Sequence, residues 1–226
     1  PPRSTLFPYT TLFRSEDFAQ GLRFGLPPAL QFSVTAGGNI ALQNFMNGFG
    51  SHTVAAITTA YRVDTIMLLP IINLGSAIST MVAQSKGAGE PQRARHFWRT
   101  GAVMNLVVSL LLMAVMLLFG GKLVALFGVE AEAAAIGRRF FQRISLFYVF
   151  FGLACSMRGT IEGTGRVVYS SAVSIAALLL RIALSYLLAG AFLNMAIAYA
   201  EGLHWIFMVL CFLPFFLRRD RWAQNS

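Results

Sequence analysis

Apolar positions in this chain run in long blocks, broken by short polar segments rich in glycine or arginine. A helix needs about 20 mostly apolar residues to cross a bilayer. Six stretches meet that length: residues 26–47, 53–85, 96–119, 137–161, 167–190 and 193–217. The first opens on Pro27-Pro28, which suits a first helical turn. The second, at about 1.5 Å per residue, outruns the hydrocarbon core, and Pro70 removes one backbone bond within it, so a bend is predicted there. The third holds VVSLLLMAVMLLF, the most lipid-like run. Between the third and fourth lies GGKLVALFGVEAEAAAIGRR, whose KLVALF is too short to span. An interfacial turn followed by the start of an amphipathic helix is expected there. The pattern predicts an all-α membrane protein, a six-transmembrane-helix bundle.

Composition agrees. The chain is 56% hydrophobic and 12% charged, with a mean hydropathy of +0.64, against about 25% charged residues in soluble domains. The net charge of +9 therefore reads as loops obeying the positive-inside rule. Nucleic-acid binding is not expected, because no soluble basic domain exists to carry a patch. Six spans place both ends on one side. That side holds ten Lys and Arg (Arg23, Lys86, Arg93, Arg95, Arg99, Arg158, Arg166, Arg218, Arg219, Arg221), and the other four, Lys122, Arg138, Arg139 and Arg143. Both ends are thus expected in the cytoplasm of a cell in whose plasma membrane the chain is a multi-pass protein, with Trp98 and Trp222 near that interface. Cys155 and Cys211 sit in apolar runs and read as small buried hydrophobes, not a disulfide framework. His52, His96 and His204 are scattered and lack cysteine partners, so no metal site is expected. No nucleophile–base pair is visible, and neither an enzyme nor a cofactor is expected.

Charges inside the spans are costly and are functional candidates by default. Arg62 and Asp64 lie in the second, Arg181 in the fifth, and Glu201 in the sixth with His204 one turn on. All four of the first named lie roughly 12–17 Å from the outer ends of their helices. Two readings stand side by side. Either an arginine pairs with a carboxylate and locks helices together, or one carboxylate lies off the pair, in a water-filled cavity, and exchanges a proton. Arg62 and Asp64 are two apart and point to different faces. The first helix carries a polar stripe, Gln31, Asn39 and Gln43, flanked by Asn44 and Asn47. Such a stripe faces the interior, either bonding helices together or lining a cavity. Among the many aromatic and Met side chains, including Phe147, Tyr148, Phe150, Phe151 and Met157, Tyr61 and Tyr199 are the cavity candidates. Gly87-Ala88-Gly89 lacks phosphate-loop spacing and reads as a helix end with a tight turn.

Several of these features come in a familiar order: NGFG at Asn47, then VAAITTAYRVD, then Pro70, then Q-x-x-GAG-x-x-x-RA from Gln84 to Ala94. This resembles the seventh and eighth helices of a multidrug and toxic compound extrusion (MATE) transporter. The resemblance covers residues 21–219, and MRGTIEGTGR from Met157 resembles the loop between the family's tenth and eleventh helices. It implies the C-terminal lobe of a twelve-helix, two-lobed protein with a pseudo-two-fold axis along the membrane normal. Residues 16–25 would be a cytoplasmic linker from an absent N-terminal six-helix lobe of the same polypeptide, 26–217 the lobe, and 218–226 a basic cytoplasmic tail. Gln84, Gly87, Gly89 and Arg93 would form a cytoplasmic turn. Amphipathic, often cationic, small-molecule substrates would leave through a cleft between lobes, lined by the first helix here, with proton or sodium as the coupling ion. Some members carry a cation-binding carboxylate on that helix; this chain has none between Pro27 and Phe49. A lipid-linked precursor flippase of a related two-lobe family and a non-transporting half-module are the alternatives. Residues 1–15, PPRSTLFPYTTLFRS, resemble a translated sequencing adapter. They lack the regions of a signal peptide, and the natural protein is expected to begin before Glu16.

Overall fold

The computed structural model describes residues 15–217, and side chains are described from Phe18 on, with Gln20 excepted. The adapter-like segment, but for Ser15, and the basic tail lie outside them. The elements are α1 (Ser15–Asn47), α2 (Ser51–Gly87), α3 (Pro91–Ala125), α4 (Ala131–Ile144), α5 (Tyr148–Gly163), α6 (Val167–Phe192) and α7 (Ala196–Leu217). A 3-10 turn, Ser145–Phe147, joins α4 to α5, and another, Leu193–Met195, joins α6 to α7.

The turns gather at two ends of the bundle. At one, Lys86 Nζ donates to the Thr164 carbonyl at 3.0 Å, tying the α2–α3 turn to the α5–α6 turn. At the other, His52 lies 3.4 Å from Glu130, and Asn194 Nδ2 donates to Thr53 Oγ1 at 3.4 Å. The described residues thus make six passes, α4 and α5 together forming one. Among the described residues, four helical stretches are long and apolar enough to cross a membrane: Ser51–Gly87, Pro91–Ala125, Ala131–Gly163 and Val167–Leu217. The last reverses at Leu193, whose φ is 52°, and holds both α6 and α7. α1 has the length, but Gln31, Asn39, Gln43, Asn44 and Asn47 keep its hydropathy lower.

Three local expectations change. The first helix was expected to open on Pro27-Pro28, yet α1 begins at Ser15 and carries both prolines inside it, so residues 16–25 are helical as well. The third helix was expected to stop at residue 119, yet α3 runs to Ala125, so only residues 126–130 connect it to α4. The reason is packing. A Cβ at Gly120 would come within 2.8 Å of Phe141 Cβ, and one at Gly121 within 3.0 Å of Arg138 Cβ. The glycine pair is a seat for α4 rather than a helix break. The turn after α2 also differs. Gly87 is still helical and has open space around it, whereas Gly89 has φ +71°, which L side chains rarely adopt. The strain of that turn rests on Gly89. Pro70 is accommodated inside α2, which runs unbroken through it.

Three kinds of surface organise the bundle. α2 and α5 meet backbone to backbone: a Cβ at Gly159 would collide with the Gly75 carbonyl, and one at Gly163 would reach 2.5 Å from the Ser79 carbonyl. Small residues permit this close approach, as in other membrane helix pairs. α3 and α5 meet through buried polar groups, where Asn105 Nδ2 donates to Ser156 Oγ at 2.9 Å and to the Gly152 carbonyl at 3.3 Å. From Val103 to Leu118 the outer face of α3 is apolar, with Val103, Leu106, Val107, Leu110, Leu111 and Leu118 exposed. The exposed face of α2 is mixed: Arg62, Thr65, Asn73, Ser76, Thr80 and Gln84 lie along it, with Ile66, Leu69 and Ile72 exposed among them.

Candidate functional site

Four helices converge on a polar cluster inside the span region. α2 supplies Tyr61 and Asp64, α5 supplies Tyr148, α6 supplies Arg181, and α7 supplies Glu201 and His204. The cluster sits in the larger apolar core, beside Phe140, Phe141, Ile57 and Trp205. Buried polar atoms are mostly hydrogen-bonded, and here most are, Arg181 Nε and His204 Nδ1 being the exceptions in the cluster.

Arg181 and Glu201 form a buried ion pair, their side chains 11% and 10% exposed. Tyr61 bridges it. Its hydroxyl accepts from Arg181 Nη2 at 3.0 Å and donates to Glu201 Oε2 at 3.3 Å. The Arg181 guanidinium also lies 5.6 Å from the Tyr61 ring centroid, a favourable cation–π position. His204 Nδ1 is 3.7 Å from Glu201 Oε1, beyond hydrogen-bond reach, and has no hydrogen-bond partner of its own. Asp64 is buried, 5% exposed, and accepts a hydrogen bond from the Tyr148 hydroxyl. Among the described residues no cation pairs with it.

The other sequence candidates lie elsewhere. Arg62 points away from Asp64 and is exposed; among the described residues it has no ion-pair partner. Gln31 is buried and accepts from Arg158 Nη2 at 3.4 Å, and Arg158 pairs with Glu162 at 2.7 Å. Asn39 is exposed, and Gln43 donates to Asn47 Oδ1 at 3.4 Å. Tyr199 is half-buried and packs on Phe192, ring centroids 4.6 Å apart. Gln84, Gly87, Gly89 and Arg93 are exposed at the α2–α3 turn, where Arg93 pairs with Glu90 at 3.0 Å. Tyr148 is the residue whose part the sequence did not reveal. It stands in an aromatic run, LFYVFF, as the one ring there with a hydroxyl, and nothing in that run marks Asp64, 84 positions away, as its acceptor.

A family model, MatE, matches residues 27–187. The chain belongs to the MatE family. MATE proteins are transporters, not enzymes, and the chain is accordingly a multi-pass membrane protein of a multidrug-efflux transporter family. It is 29% identical over 150 residues to the probable multidrug resistance protein YpnP of Bacillus subtilis, covering 66% of this chain and 34% of that protein. It is 29% identical over 157 residues to YoeA of the same organism, also described as a probable multidrug resistance protein, covering 70% and 34%. Its fold matches an outward-facing multidrug resistance MATE family transporter of the MOP superfamily with a TM-score of 0.83 at 19% identity, over 91% of this chain and 46% of that one. The chain thus spans about a third of the curated relatives and about half of the solved MatE-family transporter.

Proposed function

We propose that this chain is the C-terminal six-helix lobe of a secondary antiporter that exports amphipathic, often cationic, compounds in exchange for protons or sodium. The partner surface is the N-terminal lobe of the same polypeptide, and the setting is the plasma membrane, with both ends of the lobe cytoplasmic. The observation that carries the reading is the buried polar cluster across α2, α5, α6 and α7 in a lobe of this family's fold.

The two carboxylates divide the work. Glu201 neutralises Arg181 and holds α6 to α7 and, through Tyr61, to α2. Releasing that pair would strand a buried charge, which is strongly unfavourable. Asp64 has only a neutral phenol as partner. It can change its own charge without breaking an ion pair, so it is the group proposed to take up and release the coupling ion. The test uses the complete protein read from the source gene, reconstituted in vesicles with an imposed proton or sodium gradient. Gradient-driven accumulation of a cationic dye, lost in Asp64→Asn with protein level unchanged, supports the reading. Undiminished accumulation in Asp64→Asn removes Asp64 from coupling.

A further inference from the structure

Arg62 is the one intramembrane candidate charge that the polar cluster leaves out. It lies 11 residues into α2, about 16 Å from the helix start at 1.5 Å per residue, and its side chain is exposed. An arginine at that depth facing hydrocarbon is costly, so its surroundings must be water or polar protein surface. The neighbouring surface fits. Arg62 lines a groove of about 660 Å³ with Asn47, Ser51, Thr58 and Thr59, floored by Gly50, Val54 and Ala55. Thr58 Oγ1 is buried there without a hydrogen-bond partner. Further along the same face, Thr65, Ser76 and Thr80 turn their hydroxyls back onto α2 carbonyls. Those hydroxyls are already satisfied, whereas Arg62 and Thr58 are not.

The groove therefore offers a guanidinium fork, an amide and the apolar side chains of Val54 and Ala55, and among the described residues no carboxylate lines it. Arginine recognises planar or tetrahedral oxyanions through paired N–H donors. We infer that this groove receives the anionic group, a carboxylate or a phosphate, of an amphipathic substrate whose apolar part lies on Val54 and Ala55. The inference rests on the transport reading above and refines its substrate class. Molecules with one anionic group are accepted at Arg62, and simple cations gain nothing from it.

A matched pair of probes tests this: one rhodamine dye as its ethyl ester, a cation, and as its free acid, which carries a carboxylate. The complete transporter is placed in phosphatidylcholine vesicles, so no anionic headgroup competes, and gradient-driven accumulation of both dyes is followed. Wild type is expected to accumulate both. Arg62→Ala should lower free-acid accumulation about tenfold or more and leave the ester within about twofold. Arg62→Lys, which keeps the charge but loses the fork, should fall between. Because Arg62 is exposed and unpaired among the described residues, its removal strands no buried partner, and the ester serves as the internal control for folding. Equal loss of both dyes overturns the inference. Ester accumulation with no free-acid accumulation in wild type also overturns it while leaving the transport reading intact. Accumulation of neither dye overturns both. Phosphatidylglycerol added to the wild-type vesicles separates the two sources of an anion. Unchanged free-acid accumulation keeps the substrate as occupant; a fall to the Arg62→Ala level assigns the groove to a lipid headgroup and overturns the substrate assignment.

Discussion

Asp64 and Glu201 are both carboxylates in the interior of one helix bundle, 5% and 7% exposed, yet they answer burial in different ways. Glu201 meets an arginine, a bridging tyrosine and a nearby histidine. Asp64 meets one tyrosine hydroxyl. The first is an electrostatic joint spanning three helices. The second is a single neutral contact between two helices whose backbones already touch a few turns away. The difference separates what holds the lobe together from what is free to change charge. Burial and charge type alone would rank the two residues equally.

The largest effect should come from breaking the joint. Glu201→Ala leaves Arg181 buried without a counter-charge and should cost about 3–5 kcal/mol, read as a fall in detergent thermal stability and in protein level. Arg181→Met combined with Glu201→Leu removes both charges and should recover most of that loss. Failure of the double variant to recover would show that the pair does more than join helices. Tyr148→Phe is next. It leaves the buried Asp64 carboxylate without its donor, at about 1–3 kcal/mol; an unchanged melting temperature would mean another group serves Asp64. Tyr61→Phe removes the bridging hydroxyl while the ion pair remains, and should cost about 1 kcal/mol. Asp64→Asn should be the mildest for folding, within about 1 kcal/mol, because an amide oxygen still accepts from Tyr148. It should nonetheless abolish gradient-driven transport in the complete protein. That combination, a stable but uncoupled protein, is the sharpest contrast with Glu201→Ala, and a stability loss in Asp64→Asn as large as in Glu201→Ala would erase the comparison.

The helices were legible because their signal is local. Long apolar blocks and glycine-bearing polar breaks located six passes to within six residues at every end but one, the start of α1, which lies 11 residues ahead of the expected one. The misplacement at Gly120-Gly121 shows where that signal ends: a glycine pair reads as a break unless one knows that Phe141 and Arg138 lie on it. The same holds at Gly87 and Gly89, which sequence alone cannot tell apart and which φ separates. The ingredients of the polar cluster were legible as well, since intramembrane charge is rare. Its wiring was not. Tyr61 reaches Arg181 across 120 positions and Glu201 across 140, and Tyr148 reaches Asp64 across 84. Separations of that size carry no periodic trace. Arg62 and Arg181 look alike in sequence, and only packing sends one to a carboxylate and the other to an open groove.

The backbone contact between α2 and α5 has a mechanical consequence. Where Gly159 abuts the Gly75 carbonyl and Gly163 the Ser79 carbonyl, backbone meets backbone, and no long side chain is interposed to act as a spring. The two rods form a stiff plank. Arg62, Asp64 and Tyr148 all ride on that plank, so any tilt of the lobe carries groove and carboxylate together, with no slack between the place where a substrate would rest and the place where an ion would leave.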